Sequence, residues 1–171
     1  MKKRIAILGS TGSIGRQALE VVRKQNNYLD IEVLTALENT ELLIRQAIEF
    51  QPNVVVIGNE KHYLQVKEAL APYLIKVYAG NSALLQVLEM DTIDQVLLAI
   101  PGFGGLKPAL SALENRKPLA LASKESLVVA GELVKNAALA NATPVIPVDS
   151  EHSAIFQCLN GDRNNPVEKI V

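Results

Sequence analysis

Arg4-Ile5-Ala6-Ile7-Leu8 leads into Gly9-Ser10-Thr11-Gly12-Ser13-Ile14-Gly15, and Ile14–Lys24 continues with Ile14, Leu19, Val21 and Val22 as apolar positions. A short aliphatic run, a glycine-rich turn and an amphipathic stretch make the opening strand–turn–helix unit of an α/β chain. Glycines permit positive φ and close backbone approach, and the free N–H groups of a helix start attract a pyrophosphate. Gly15 lets the helix lie close on the strand, as the third glycine of a dinucleotide fingerprint does. The spacing is G-x-x-G-x-x-G rather than the commoner G-x-G-x-x-G, and Thr11 and Ser13 add hydroxyl donors for phosphate oxygens. An ordinary strand-to-helix turn uses the same residue types for turn and cap geometry. Position at the first strand–helix junction favours the dinucleotide site.

Outward from this unit, short aliphatic runs alternate with amphipathic ones. Ile31–Thr35, Val54–Ile57, Ile75–Tyr78, Val96–Ile100, Leu119–Leu121 and Val145–Val148 read as strands. Between them Glu41–Phe50, Lys61–Ala71, Ala83–Leu88, Leu106–Glu114 and Leu133–Ala140 supply the helices. Such alternation implies right-handed crossovers and an α/β, Rossmann-like, doubly wound and mostly parallel sheet with helices on both faces. Gly161–Pro166 reads as a polar turn, and Val167–Val171 as a further strand beginning.

Composition narrows the function. The 171 residues fit one domain, or one domain and the start of another, and 49% hydrophobic residues suffice for a core. Seventeen basic against 18 acidic residues, net charge −1, leave no basic field for nucleic acid. With 4% aromatics and no Trp, base-stacking platforms are excluded too. The single cysteine, Cys158, forms no internal disulfide and no thiolate zinc cluster, so a reducing, cytoplasmic setting is expected. Every apolar run is far shorter than a membrane span.

Three further features bear on chemistry. Glu38, after the second strand, is the kind of acid that accepts from a ribose 2′-hydroxyl and repels a 2′-phosphate, or it is a solvated loop charge. Asp149 and Glu151, in Pro147-Val148-Asp149-Ser150-Glu151-His152-Ser153, point the same way if the segment is extended, as ligands for Mg²⁺ or Mn²⁺. Alternatively Asp149 or Ser150 caps a short helix through Phe156 with Glu151 in its first turn; the two arrangements are compatible. Lys124 and Glu125 in Leu121-Ala122-Ser123-Lys124-Glu125-Ser126-Leu127 follow a strand, where a lysine fixes a substrate oxygen or merely forms an exposed pair. His152 reads as an exposed first-turn histidine, and His62 as a surface residue without a partner in the sequence.

ILGSTGSIGRQALEVV near the start, LASKESLVVAGEL in the middle and PVDSEHSAIFQCL near the end, in that order, resemble the 1-deoxy-D-xylulose 5-phosphate reductoisomerase family. The resemblance runs over essentially the whole chain, although the family is much longer. It implies a dinucleotide-binding Rossmann-like domain over 1–148 and, over 149–171, the start of a truncated catalytic domain, so that this chain alone is expected to be catalytically incomplete. It implies an NADPH- and metal-dependent oxidoreductase and isomerase that turns 1-deoxy-D-xylulose 5-phosphate, a sugar phosphate, into 2-C-methyl-D-erythritol 4-phosphate for isoprenoid synthesis.

By the same resemblance Thr11, Gly12, Ser13, Ile14, Asn39, Ser123 and Glu125 contact the cofactor. Lys124, Ser150 and Glu151 bind substrate, Lys124 and Glu151 serve catalysis, and Asp149 and Glu151 coordinate Mg²⁺ or Mn²⁺. The family tends to be dimeric, which implies a homodimer. Three segments depart from its pattern. Ala36-Leu37-Glu38-Asn39 replaces the usual Ala-Gly-Lys/Arg-Asn, which leaves NADH as an alternative to NADPH. Ser123 replaces an asparagine, and Pro101-Gly102-Phe103-Gly104-Gly105 differs from Val-Gly-x-Ala-Gly. A stand-alone NAD(P)-binding module without catalysis is the alternative function. A third class of G-x-x-G-x-x-G reductases, the semialdehyde-dehydrogenase group, uses a catalytic cysteine, whereas Cys158 lies within an expected helix.

Overall fold

The structure is a computed structural model that describes residues 1–160 together with Val167 and Lys169. The polar turn expected over Gly161–Pro166 and most of the strand expected from Val167 lie outside the described residues. Among the described residues seven strands form one sheet in the order β4-β3-β2-β1-β5-β6-β7. They are β1 (Lys3–Leu8), β2 (Leu29–Ala36), β3 (Val54–Ile57), β4 (Lys76–Ala79), β5 (Gln95–Leu98), β6 (Leu119–Leu121) and β7 (Val145–Pro147). Every neighbouring pair is parallel, so all carboxyl ends gather at one edge. The expected doubly wound sheet is therefore present, and it is wholly parallel.

Alternation along each strand divides the core in two. On β1, Ala6 and Leu8 face one side with Val33, Val96, Leu98 and Leu119, where α4 (Gly80–Gln86), α5 (Leu106–Glu114) and α6 (Glu125–Ala140) cover them. Ile7 faces the other side with Leu34, Val55, Ile57 and Leu97, under α1 (Ser13–Lys24), α2 (Thr40–Phe50) and α3 (Tyr63–Leu70). The chain switches faces after β4, so the strand order reverses between β1 and β5. In open parallel sheets such a reversal splays the connections apart and leaves a crevice beyond the strand ends.

Two elements differ from the sequence-based expectation. Helix α6 begins at Glu125 rather than Leu133, and it breaks at Ala130, where φ is −146° and ψ 37°. Val128 and Val129 on its first turns are exposed, so the core-facing period that marks a helix is missing there. The second is a bulge: Ile5 pairs with Ile31 but Ala6 with Val33, which skips Glu32. Its buried carboxylate accepts from Asn53 Nδ2 at 2.9 Å and from Thr92 Oγ1 at 2.5 Å.

One polar knot at the carboxyl edge ties both sides of β1–β2 to α2. Ser10, Thr35 and Gln46 are all buried. Ser10 Oγ donates to Gln46 Oε1 at 2.7 Å, and Gln46 Nε2 donates back to Ser10 O at 3.0 Å. Gly9 N donates to Thr35 Oγ1 at 3.0 Å, and Ser10 N to Thr35 O at 2.8 Å. A Gln46→Leu substitution strands the Ser10 carbonyl in the core and leaves the Ser10 hydroxyl only its longer contact to Thr35 O at 3.2 Å. It is expected to destabilise the fold by about 1–3 kcal/mol, read from the urea midpoint of the variant against the parent.

Candidate active site

The glycine turn sits at the crevice. Gly9 has φ +89°, and a Cβ there would lie 2.8 Å from Ala99 O at the end of β5. Only glycine therefore lets β1 end this close to its neighbour. Gly15 is pressed as tightly onto the turn, because a Cβ would meet Gly9 O and would lie 2.6 Å from Ser10 Cα. Gly12 caps α1 without a side chain and has room, since its Cβ would come no closer than 3.4 Å to Gly9 O.

Beyond the cap, the N–H groups of Ser13, Ile14 and Gly15 donate to no backbone carbonyl, and neither does that of Thr11. The first turn carries no acid, and Gly12 and Ser13 are exposed. Free donors, the positive end of a helix and an open approach suit a phosphate or pyrophosphate. Thr11, Gly12, Ser13 and Ile14, the residues expected at the cofactor in this turn, lie at this helix start.

At the end of β2 the polar side chains have partners within the chain. Asn39 uses its side chain as the cap of α2, accepting from Leu42 N at 3.1 Å. Glu38 accepts from Asn59 Nδ2 at 3.0 Å on both oxygens, and His62 Nε2 lies 3.1 Å from Oε2. His62 therefore has a partner, one that lies 24 positions away and is brought close only by the β2–β3 pairing.

The third group joins the ends of β6 and β7. Lys124 Nζ donates to Glu151 Oε1 at 2.8 Å, and Ser150 Oγ donates to Oε2 at 2.8 Å. That ammonium, with the serine hydroxyl second, holds the Glu151 carboxyl down at about 2, and the carboxylate in turn raises Lys124. Asp149 caps α7 (Ser150–Leu159), accepting from His152 N at 3.4 Å and facing His152 Nδ1 at 2.6 Å.

Of the two arrangements open to Asp149 and Glu151, the helix cap is the one present. Only Asp149 is extended, with φ −61° and ψ 151°, and the helix starts at Ser150. The cap geometry prevails because it satisfies an otherwise orphaned helix N–H. Both carboxylates remain at one helix start, each facing a cation or a histidine. That donor set of hard oxygens fits a divalent ion, although no group of three acidic, His or Cys side chains forms a metal cluster among the described residues.

Among the described residues the buried Ser123 and Ser126 hydroxyls have no partner, and a Cβ on Gly105 would lie 3.2 and 3.3 Å from them, while Glu125 is exposed at the start of α6. Sequence reasoning missed Gln46, Asn59 and the His62 contact; their partners are 21 to 36 positions away, beyond any local pattern. Two surface grooves lie elsewhere. One, of about 330 Å³, is lined by Val54 and Lys76 at the amino ends of β3 and β4, and another, of about 230 Å³, lies between α6 and β7.

Comparison with known proteins points to one family. The family model for 1-deoxy-D-xylulose 5-phosphate reductoisomerase matches residues 5–131. The reductoisomerase of Bacteroides thetaiotaomicron is 55% identical over 170 residues, covering 99% of this chain and 44% of its own length. The Zymomonas mobilis reductoisomerase, solved in complex with NADPH, superposes with a TM-score of 0.89 at 39% identity, over 92% of this chain and 41% of that one. A reductoisomerase solved with NADPH, fosmidomycin and magnesium gives 0.88 at 35% identity, over 91% and 38%. The chain thus spans less than half the length of these relatives. Among the described residues, no helix is long and apolar enough to cross a membrane.

Two outcomes check the site's construction. Gly15→Ala is expected to cost about 1–3 kcal/mol through the forced overlap, whereas Gly12→Val leaves the urea midpoint close to the parent's. Carboxyl NMR titration should place Glu151 at about 2 and move it towards its ordinary 4.5 in Lys124→Met. Because the folded value is the lower one, the pair favours folding above the usual carboxylate range, and that contribution fades as pH falls towards about 2.

Proposed function

This chain belongs to the 1-deoxy-D-xylulose 5-phosphate reductoisomerase family, and on that premise we propose that it carries the cofactor-binding and metal-binding parts of such an enzyme. The reaction is the isomerisation of 1-deoxy-D-xylulose 5-phosphate and its NADPH-dependent reduction to 2-C-methyl-D-erythritol 4-phosphate in isoprenoid synthesis. The observation that carries this reading is the Lys124–Glu151 contact of 2.8 Å, which joins the β6 and β7 ends on the same sheet edge as the open start of α1. A stand-alone dinucleotide module has no need of a lysine and two carboxylates gathered there.

In this proposal Thr11, Gly12, Ser13 and Ile14 hold the dinucleotide pyrophosphate through the free N–H groups and hydroxyls. Ser123 and Glu125 lie on the nicotinamide side and Asn39 on the adenosine side. NADPH is the cofactor implied by the family, with NADH open through Glu38. Asp149 and Glu151 ligate Mg²⁺ or Mn²⁺, which when bound polarises the oxygens of the substrate as a Lewis acid. Lys124 and Ser150 bind the substrate, and Lys124 adds fixed positive charge where oxyanion character develops. Released from Lys124 by substrate, Glu151 moves back towards the ordinary carboxylate range, which still leaves it ionised near neutral pH and ready to ligate.

The domain division at 148/149 belongs to the proposal too. It is supported by α7, which buries none of its residues against the sheet. A cytoplasmic homodimer completes the reading, supported by the lone, exposed Cys158 for the compartment and by the family resemblance for the dimer.

One crossed titration tests the assignment. The unaltered chain is expected to bind NADPH by calorimetry and Mn²⁺ by electron paramagnetic resonance. Gly12→Val should lose NADPH and keep Mn²⁺, and Asp149→Ala with Glu151→Ala should lose Mn²⁺ and keep NADPH. Retention of both ligands by either variant contradicts the corresponding site.

A further inference from the structure

The bulge in β2 buries a carboxylate for which the proposed chemistry has no task. Glu32 is 2% exposed, and it accepts from Asn53 Nδ2 at 2.9 Å on each oxygen and from Thr92 Oγ1 at 2.5 Å. Among the described residues no cationic side chain pairs with it. A carboxylate taken out of water without a counter-charge is unfavourable, and two neutral donors offset that only in part. Its donors come from both flanks of β2. Asn53 immediately precedes β3 and is laced to β4, its carbonyl accepting from Lys76 N at 3.1 Å, while Thr92 lies just ahead of β5.

What the carboxylate holds is a change of face. Ile31 packs with Ile7 and Leu97 under α1–α3, whereas Val33 packs with Ala6 and Val96 on the opposite side, and Leu34 and Ala36 return to the first. In an unbroken strand residues 31, 33 and 35 share one face. The extra residue therefore turns over the outer half of β2 and advances its register, since Ile5 pairs with Ile31 but Leu8 with Thr35. Without it Leu34 would stand opposite Leu8, and the Thr35 hydroxyl would move one place along and to the other face. That hydroxyl accepts from Gly9 N at 3.0 Å, and Thr35 O accepts from Ser10 N at 2.8 Å. Val33 and Leu34 are apolar and buried in either register, so hydrophobic pattern alone does not choose between the two.

We propose that Glu32, held by Asn53 and Thr92, is a positioning residue for the anion site at the start of α1: it pins the bulge, the bulge sets the face and register of Thr35, and Thr35 directs the Gly9–Ser10 turn. The proposal rests on the dinucleotide reading of that helix start and adds to it a residue remote from the ligand. Three residues of strand, about 10 Å, separate Glu32 from Thr35. The coupling is register, which does not change by degrees, because a slip carries every later side chain to the opposite face. Stability and binding come apart at such a position. An apolar replacement removes a buried charge, which leaves the fold as stable or more so, yet the bulge loses what pins it.

NADPH calorimetry, urea midpoints and amide NMR of the unaltered chain and its variants test this. Glu32→Val is expected to weaken NADPH by about tenfold, the worth of one hydrogen bond to the turn, with a urea midpoint at or above the parent's. The Gly9 and Ser10 amide resonances should move in the same variant before any cofactor is added. Glu32→Gln keeps an acceptor for Asn53 and Thr92 and should restore most of the binding. Thr92→Val, which removes one hydroxyl, should shift the same two resonances by less. In a Thr35→Val background Glu32→Val should weaken NADPH no further. Parent-like Gly9 and Ser10 resonances in both Glu32→Val and Thr92→Val overturn the proposal, as does an undiminished effect of Glu32→Val in the Thr35→Val background. Absence of NADPH binding by the unaltered chain overturns the anion site and this proposal together. Binding that Gly12→Val abolishes and Glu32→Val leaves intact overturns this proposal alone.

Discussion

The start of α1 is open to a ligand because the turn ahead of it is held from behind. Gln46, on α2, meets Ser10 with both ends of its amide, and Thr35 takes the N–H groups of Gly9 and Ser10. With those backbone groups satisfied inside, the remaining donors of the turn face outward. A glycine-rich loop without such backing has the same composition but no fixed direction for its N–H groups, and an anion site built from backbone depends on direction. Gly9 and Gly15 complete the constraint from the other side, because each sits where a Cβ would strike the neighbouring backbone.

The parallel sheet turns this local device into a site. Since every strand runs the same way, the ends of β1, β2, β5, β6 and β7 lie along one edge, and the reversal of order between β1 and β5 opens a crevice there. Segments far apart in the chain therefore meet. The Lys124–Glu151 pair is exposed on both sides, so its net stabilisation is small. Its consequence is chemical: a lysine stands at a carboxylate that remains ionised far into acid. Helix α7 buries nothing, and its start is oriented by the Asp149 cap and by this contact.

Much of this was legible in the residues, and the exceptions share a cause. The glycine turn can be read because steric limits at Gly9 and Gly15 leave a mark in residue identity. Strands β3 and β5 can be read because burial on both faces demands unbroken aliphatic runs. The start of α6 could not, since exposed Val128 and Val129 and the break at Ala130 erase the helical period. Glu32, Gln46 and His62 look like ordinary surface residues in sequence, yet each has a partner supplied by a turn or loop distant in the chain. For the Asp149–Glu151 segment the residues allowed both a cap and an extended run, because the two differ by a single helical turn that composition does not specify, and the structure has the cap.

The account depends most on an anion site at the start of α1, and amide NMR of the full chain during addition of NADPH tests that directly. The amide resonances of Thr11, Ser13, Ile14 and Gly15 are predicted to move first and furthest, with Gly9 and Ser10 following through the turn. Shifts confined to other elements, such as the α6–β7 groove, or resonances that stay still at saturating cofactor, would contradict it.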